Sequence, residues 1–154
     1  MNMISNTLFV SGSEDETAAF ARDLALILRS GDVLFLDGNL GMGKSVFARA
    51  LIRELTVQPD LEVPSPTFTL VQTYDTIKGP LWHFDLYRIK APEDVYELGW
   101  EDALSDGIVL VEWPSKLNST LAPRNRLEIG FTQSDKKGGR HLTFTPHGQW
   151  KDRL

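Results

Sequence analysis

The sequence has no cysteine, and this absence excludes a disulfide scaffold and any metal site built on thiolates. It also has no uninterrupted apolar stretch near membrane-spanning length, and its first residues lack the basic and apolar segments of a secretory signal. We therefore expect a soluble cytoplasmic protein that does not contact a membrane. A chain of 154 residues, 42% of them hydrophobic, suits a single domain over residues 1–154.

Positive charge is scarce over most of the chain. The net charge is −5, which disfavours a surface that grips nucleic acid by itself. Residues 1–114 hold 8 Lys and Arg against 18 Asp and Glu, whereas residues 115–154 hold 8 against 3. This basic C-terminal third is either a docking face or a solvated surface, and the sequence leaves both readings open.

The first half of the chain predicts helices on either side of one buried strand. Ser13 and Glu16 form a capping-box pattern before a helix whose buried stripe is Phe20, Leu24, Ile27 and Leu28, with Gly31 as its stop. A strand over Val33–Asp37 and a helix over Lys44–Leu55 follow. The proline-rich stretch after that helix predicts a loop.

The second half predicts two hairpins around one more buried strand. Thr67–Tyr74 and Pro80–Arg88 pair as the first hairpin, and the segments RLEIGFT and RHLTFTP pair as the second. Between them lie short helices over Pro92–Leu98 and Asp102–Ser105, then the apolar strand Gly107–Glu112. This order predicts an α/β fold, a three-layer P-loop NTPase-like domain. Its mixed sheet is parallel at the centre, with antiparallel hairpins toward the edges.

The loop between the first buried strand and its helix reads GNLGMGKS and matches the pattern G-x-x-x-x-G-K-[ST]. Glycines let consecutive backbone N–H groups face phosphate oxygens, and the helix N-terminus adds positive potential. Lys44 supplies a charge for the β- and γ-phosphates, and the Ser45 hydroxyl is a ligand for Mg²⁺. Chance produces such a match in well under ~1% of chains this long. The loop therefore predicts nucleotide binding.

Two acidic residues are candidates to complete the site. Glu112 ends an apolar strand and either serves Mg²⁺ or an attacking water, or faces solvent. The segment HFDLYR turns His83, Asp85 and Tyr87 to one face, as an exposed edge strand or as the wall of a polar site. Asp85 is the preferred metal-shell residue, because Mg²⁺ prefers oxygen. His83 and Tyr87 are expected to hold Asp85 or the fold in place.

Other segments narrow the choice of nucleotide. In SPTF, Thr67 either sits over the γ-phosphate near the metal or belongs to an ordinary polar loop. Arg88 either stabilises γ-phosphate charge or forms a salt bridge. The sequence lacks both the N-K-x-D segment and the DxxG switch of GTPases, so ATP is favoured over GTP. A small-metabolite kinase and a nucleotide-sensing module without turnover remain as alternatives.

Four segments taken together, GNLGMGKS, SPTFTLV, HFDLYR and LVEWP in this order, closely resemble the TsaE family, also called YjeE. The resemblance runs from about Ser13 to Arg140. It implies a bacterial cytoplasmic Mg-dependent ATPase required for the N6-threonylcarbamoyladenosine modification of tRNA. It also implies two partner proteins, TsaD and TsaB, whose complex is reset by ATP hydrolysis, with tRNA contacted indirectly through that complex.

The motifs and the resemblance together assign residues. Lys44, Glu112 and Asp85 would be catalytic, Ser45, Glu112 and Asp85 would serve the metal, and Trp113 matches the family's aromatic residue after the glutamate. The nucleotide would contact Glu14, Leu40, Gly41, Met42, Gly43, Lys44, Ser45, Thr67, Gly139 and Arg140. Three positions depart from the family's usual residues, because Ser45 replaces threonine, Met42 alanine and Phe68 tyrosine. No clear arginine finger is evident, so we expect slow hydrolysis by the isolated chain and a site completed by a partner.

Overall fold

A computed structural model describes residues 8–153. The expectation that the N-terminus carries no signal segment concerns in part residues 1–7, which lie outside the described range. Seven strands and three α-helices follow one another as β1 Leu8–Ser11, α1 Glu14–Ile27, β2 Val33–Asp37, α2 Lys44–Thr56, β3 Val71–Thr76, β4 Gly79–Asp85, α3 Trp100–Ser105, β5 Ile108–Glu112, β6 Arg126–Gln133 and β7 Arg140–His147. Three short 3₁₀ helices lie at Pro92–Leu98, Pro114–Lys116 and Gly148–Asp152.

All seven strands form one mixed sheet in the order β1-β7-β6-β2-β5-β4-β3. The four central strands β6, β2, β5 and β4 are mutually parallel. Antiparallel pairs continue the sheet on both sides, as β6 with β7, β7 with β1, and β4 with β3. The predicted α/β fold with a parallel centre and antiparallel hairpins at the edges is therefore confirmed.

The sheet carries a separate apolar core on each face, which gives the three layers. Successive side chains of a strand point to opposite faces, so Leu34 and Leu36 of β2 pack under α1 and α2. Val33 and Phe35 pack on the other face with α3 and the short helix Pro92–Leu98. By the same alternation, every second side chain of β4 and of β5 points to the face that α2 covers.

Helix α1 begins as the sequence predicts but ends differently. The Ser13 hydroxyl accepts a hydrogen bond from the Glu16 N–H, while the Glu16 carboxylate accepts from the Gly12 N–H. Ile27, predicted to be buried, is 39% exposed, and the helix ends at Ile27, with Leu28 as its C-cap, instead of being stopped by Gly31. The helix can end here without a glycine because the Lys78 ammonium satisfies carbonyls at its C-terminal end. It donates to the carbonyls of Ala25, Leu26 and Leu28.

The first hairpin is shorter than predicted at both of its outer ends. β3 begins at Val71 instead of Thr67, because the Leu70 N–H donates to the Pro66 carbonyl in a turn that places Leu70 at a φ of 71°. β4 ends at Asp85 instead of Arg88. Since β4 lies between β5 and β3, it is an interior strand, and the exposed-edge interpretation of HFDLYR is wrong.

Some elements have no counterpart in the sequence-based prediction. These are β1, the short helix after Glu112 and the short C-terminal helix. The segment Pro92–Leu98 is a 3₁₀ helix rather than an α-helix. Within residues 8–153, no helix is long and apolar enough to cross a membrane.

Candidate functional site

The phosphate-loop motif connects β2 to α2. Gly41 and Gly43 have φ angles of 81° and 103°, a left-handed conformation that side chains disfavour, and Gly43 is the residue immediately before the helix. The first N–H groups of any helix lack partners within it, and in α2 these groups follow directly on the glycine loop. The sequence therefore produces a helix N-terminus suited to an anion.

Lys44, the first residue of α2, is a buried cation without a hydrogen-bond acceptor. It is 5% exposed, and among the described residues its Nζ has no hydrogen-bond partner. The ammonium lies 4.0 Å from the centroid of the Trp113 ring. Burial lowers the pKa of Lys44, and the carboxylates of Glu112, Asp85 and Asp37 act in the opposite direction. An anion entering this site meets a positive charge that has little solvation to lose.

Two carboxylates on neighbouring strands act on this ammonium. The parallel pairing of β4 with β5 places Asp85 directly opposite Glu112 at the carboxyl ends of both strands. The two residues are 4% and 5% exposed. The sequence could predict this juxtaposition only once the two strands were known to be neighbours.

Both carboxylates are held by neighbouring groups. Asp85 accepts hydrogen bonds from the Thr67 hydroxyl, at 3.2 Å, and from the Tyr87 N–H, at 3.0 Å. The Thr67 hydroxyl also lies 2.8 Å from that of Ser65. Glu112 Oε2 lies 2.6 Å from His83 Nε2, in a pair that is buried on both sides.

These contacts specify three details that the sequence-based interpretation left open. His83 pairs with Glu112 rather than with Asp85. Tyr87 holds Asp85 through its backbone, while its exposed ring packs 4.9 Å from that of Trp113. The Arg88 guanidinium lies 4.4 Å from the centroid of Phe68 and forms a cation–π contact instead of the salt bridge considered above.

A cavity of about 280 Å³ joins most of the predicted site residues. Its lining includes ten of them, which are Glu14, Leu40, Gly41, Gly43, Lys44, Ser45, Thr67, Asp85, Glu112 and Arg140. Trp113 also lines it. The Arg140 guanidinium donates to the Gly41 carbonyl at 3.0 Å, so the last hairpin is tied to the phosphate loop.

Two of the predicted residues lie outside this lining. The Met42 side chain packs against the core under α1 and α2, which leaves only its backbone to face a ligand. Gly139 is buried in the turn of the last hairpin, where its carbonyl accepts from Ser134 N–H and from the Arg140 guanidinium. Its neighbour Gly138 lines the cavity in its place.

The lining also contains residues that the motifs did not indicate, which are Ser13, Thr17, Val46, Ser65 and Gly138. Thr17 follows Glu14 by three residues on α1, so helical spacing places the two on one face and offers a usable signal. Ser65 belongs to the SPTF loop that supplies Thr67. For Val46 and Gly138 the sequence carries no signal that separates them from their neighbours.

The oxygen donors around the cavity fit a magnesium ion that is shared with a phosphate ligand. No group of three or more His, Cys, Asp or Glu side chains suited to a metal occurs in residues 8–153. Magnesium sites of nucleotide enzymes need no such group, because one or two carboxylates and the substrate phosphates suffice. Ser45, Asp85 and Glu112 supply one hydroxyl and two carboxylates at the same cavity.

Comparisons with known proteins agree with this architecture. Residues 11–142 match the family model described as threonylcarbamoyl adenosine biosynthesis protein TsaE. A relative named tRNA threonylcarbamoyladenosine biosynthesis protein TsaE from Rickettsia bellii is 39% identical over 130 residues, 84% of this chain and 89% of the relative. The protein of the same name from Bacillus subtilis is 35% identical over 135 residues, 87% of this chain and 82% of the relative.

A solved structure supports the same assignment. The crystal structure of Bacillus subtilis YdiB is similar with a TM-score of 0.72 and 29% identity, over 94% of this chain and 88% of that one. The matched range of the family model includes the phosphate loop, the SPTF loop, β4 and β5, which together build the cavity. The resemblance expected from the four sequence motifs is confirmed, and the chain belongs to the TsaE family.

Proposed function

We propose that this chain is a Mg-dependent cytoplasmic ATPase of tRNA N6-threonylcarbamoyladenosine biosynthesis. It acts with the TsaB–TsaD complex, resets that complex by hydrolysing ATP, and reaches tRNA only through it. The pathway is supported by the names of relatives such as those from Rickettsia bellii and Bacillus subtilis. The ATPase chemistry is supported by the site itself.

One observation carries the proposal. The buried Lys44 ammonium, without a hydrogen-bond acceptor among the described residues, lines the same cavity as the Ser45 hydroxyl and the carboxylates of Asp85 and Glu112. Burying an ammonium without a partner costs free energy, and a bound anion would offset that cost. A cation beside a hydroxyl and two carboxylates suits a phosphate chain with its magnesium ion.

Each group then has a role. Lys44 and the loop amides bind the β- and γ-phosphates, and Thr67 lies near the γ-phosphate and the metal. Glu14 and Arg140 border the remainder of the nucleotide, and Gly139 holds Arg140 through its carbonyl. Ser45, Glu112 and Asp85 would hold Mg²⁺. When bound, Mg²⁺ neutralises phosphate charge and orients the terminal phosphate for attack.

The reaction is in-line attack of water on the γ-phosphorus. A bond forms between the water oxygen and phosphorus, the bridging β–γ bond breaks, and ADP leaves with its electron pair while the water proton is lost to solvent. Lys44 and the loop amides stabilise the charge that develops on the transferred group. Glu112 or Asp85 positions the water or the metal.

The isolated chain should hydrolyse ATP slowly. Arg140 lines the cavity, but its guanidinium is committed to the carbonyls of Gly41 and Gly139. An arginine supplied in trans accelerates comparable reactions by about 10³- to 10⁵-fold. The TsaB–TsaD complex is the proposed source of the missing acceleration.

The test is phosphate release from Mg-ATP by the chain alone and with the TsaB–TsaD pair. Lys44→Ala removes the buried charge, and Lys90→Ala, at an exposed lysine, is the matched control. We expect a low rate that rises with the pair, disappears in Lys44→Ala and persists in Lys90→Ala. A rate that cognate partners leave unchanged would contradict the resetting role.

The same experiment separates the two alternatives. Turnover that appears only on addition of a small hydroxylated acceptor would indicate a metabolite kinase. Tight ATP binding, abolished in Lys44→Ala but without turnover under any condition, would indicate a nucleotide sensor.

A further inference from the structure

We infer that His83 is a positioning residue for the proposed ATPase reaction: it holds Glu112 in the cavity and keeps that carboxylate away from Lys44. This inference rests on the proposed function, because it assigns a role within the same site. His83 is not part of the cavity lining and acts only through the carboxylate that it contacts.

The position of His83 in the sheet is unusual for an imidazole. It lies on the face covered by α2, where its neighbours of the same parity on β4 and β5 are Asp85 and Glu112 on one side and the fully buried Leu81, Ile108 and Leu110 on the other. An apolar side chain would fill such a position without a desolvation cost. His83 is 2% exposed, and its Nδ1 has no hydrogen-bond partner among the described residues. In residues 8–153, the one side-chain hydrogen bond of His83 joins its Nε2 to Glu112.

The sheet register explains why these two residues meet. His83 pairs with Leu110 across the β4–β5 ladder, and Glu112 is two residues further along β5 on the same face. This diagonal relationship lets a long side chain reach its neighbour. With a proton on Nε2, His83 donates to Glu112 Oε2, and Oε1 remains for the cavity.

Without His83, Glu112 would have another partner at hand. Lys44 is a buried cation whose pKa the Glu112 charge acts to raise, yet the two side chains form no ion pair. Glu112 is instead engaged by His83, and the Lys44 ammonium rests against Trp113. His83 thus keeps the acid available for metal or water and the cation available for phosphate.

The test compares two amides of different reach at position 83. The side-chain nitrogen of glutamine extends about as far as Nε2, whereas that of asparagine stops near the position of Nδ1. We expect His83→Gln to retain most of the Mg-ATP turnover. His83→Asn should lose roughly ten- to a hundredfold in kcat, the usual range for losing a hydrogen bond to a charged group. His83→Asn should also bind nucleotide without Mg²⁺ more weakly than His83→Gln, because Glu112, once released, competes with phosphate for the Lys44 ammonium.

A second comparison shows whether the effect passes through Glu112. In a Glu112→Gln background the substitution His83→Asn should have little further effect on kcat, since coupled residues are not additive. Equal turnover of the wild type, His83→Gln and His83→Asn would overturn the inference. Equal losses in the two amide variants, with equal falls in Tm, would also overturn it, because they would indicate a purely structural role.

Two measurements do not require turnover. The first is the affinity for a non-hydrolysable ATP analogue, measured with and without Mg²⁺. The increase in affinity that Mg²⁺ produces should be smaller in His83→Asn than in His83→Gln. This measurement tests the inference even if the wild type proves to be a sensor. In wild-type protein the proton on Nε2 should give a slowly exchanging NMR signal that persists when the Mg-analogue binds. Loss of that signal on binding would mean that Glu112 leaves His83, which contradicts the inference even if neither amide variant folds.

Discussion

The ammonium of Lys44 lies 4.0 Å from the centroid of the Trp113 ring, and it contacts this aromatic face in place of a hydrogen-bond acceptor, of which residues 8–153 supply none. Trp113 follows Glu112 directly and adopts a left-handed backbone with φ of 58°. A cation–π contact of this kind is worth about 0.5–2 kcal/mol, depending on how dry the site is. Trp113 therefore holds the lysine close to where a phosphate would bind.

A first prediction uses this contact as a signal. Phosphate binding should draw the Lys44 ammonium away from the indole, so we expect the Trp113 fluorescence to change when a nucleotide binds. The chain has three further tryptophans, and Trp113→Phe should remove the change while leaving their emission. Lys44→Met is the control, because its spectrum should already differ before nucleotide is added. An undiminished response in Trp113→Phe would refute the prediction.

A second prediction concerns pH. Burial lowers the pKa of Lys44 in the free protein, and bound phosphate should raise it again by favouring the ammonium. Between these two pKa values the complex holds one more proton than the free protein, so nucleotide affinity should fall as pH rises through that window. Calorimetry across the alkaline range measures this. Lys44→Arg keeps its charge over this range, so its nucleotide affinity should vary less with pH. An equal slope of affinity against pH in both proteins would exclude Lys44 as the cause of the pH dependence.

A third prediction addresses the Thr67 hydroxyl, which donates to Asp85 at 3.2 Å. Thr67→Val keeps the shape and removes this donor, whereas Thr67→Ser keeps it. A hydrogen bond to a carboxylate, at about 1.5–3 kcal/mol, corresponds to a loss of roughly 10- to 100-fold in kcat for Thr67→Val. Steady-state phosphate release measures the effect. Equal kcat values in the serine and valine variants would show that the hydroxyl does not act on the reaction.

The candidate site was predictable to the extent that its chemistry is local in sequence. GNLGMGKS specifies its own geometry, since glycines at positions 41 and 43 permit the left-handed backbone and Lys44 and Ser45 begin the helix. Strand alternation also predicts that His83 and Asp85 share a face. The residues that line the cavity from α1 and from the last hairpin come together only through the fold.

The partner of each polar group was not predictable in the same way. Whether His83 meets Asp85 or Glu112 depends on the register between β4 and β5, which no local pattern specifies. The C-terminal end of α1 is likewise determined by a long-range contact. Gly31 is a reasonable stop by composition, but Lys78, distant in sequence, caps the helix earlier. Long-range contacts override local propensity in both cases.

A final prediction concerns stability at that helix end, away from the site. Arg153 donates to the Asp32 carboxylate at 2.6 Å and 3.0 Å and to the Ile27 carbonyl at 2.7 Å, and it stacks over Trp150. Asp32 is 6% exposed, so Arg153→Ala would leave a buried carboxylate without this cation. Because charged hydrogen bonds contribute about 1.5–3 kcal/mol each and the Arg153 side chain remains partly solvated, we expect a loss of about 2 kcal/mol in the free energy of unfolding.

Urea denaturation measures this loss as a lower midpoint with an unchanged slope. Arg124→Ala is the matched control, since Arg124 is an exposed arginine of the same basic C-terminal third, and its change should stay within about 0.5 kcal/mol. Nucleotide affinity should be the same in both variants, because Arg153 caps the C-terminal end of α1 while the cavity lies at its N-terminal end. A destabilisation shared equally by both variants would instead point to a general effect of net charge, and the Asp32–Arg153 pair would then have no special role.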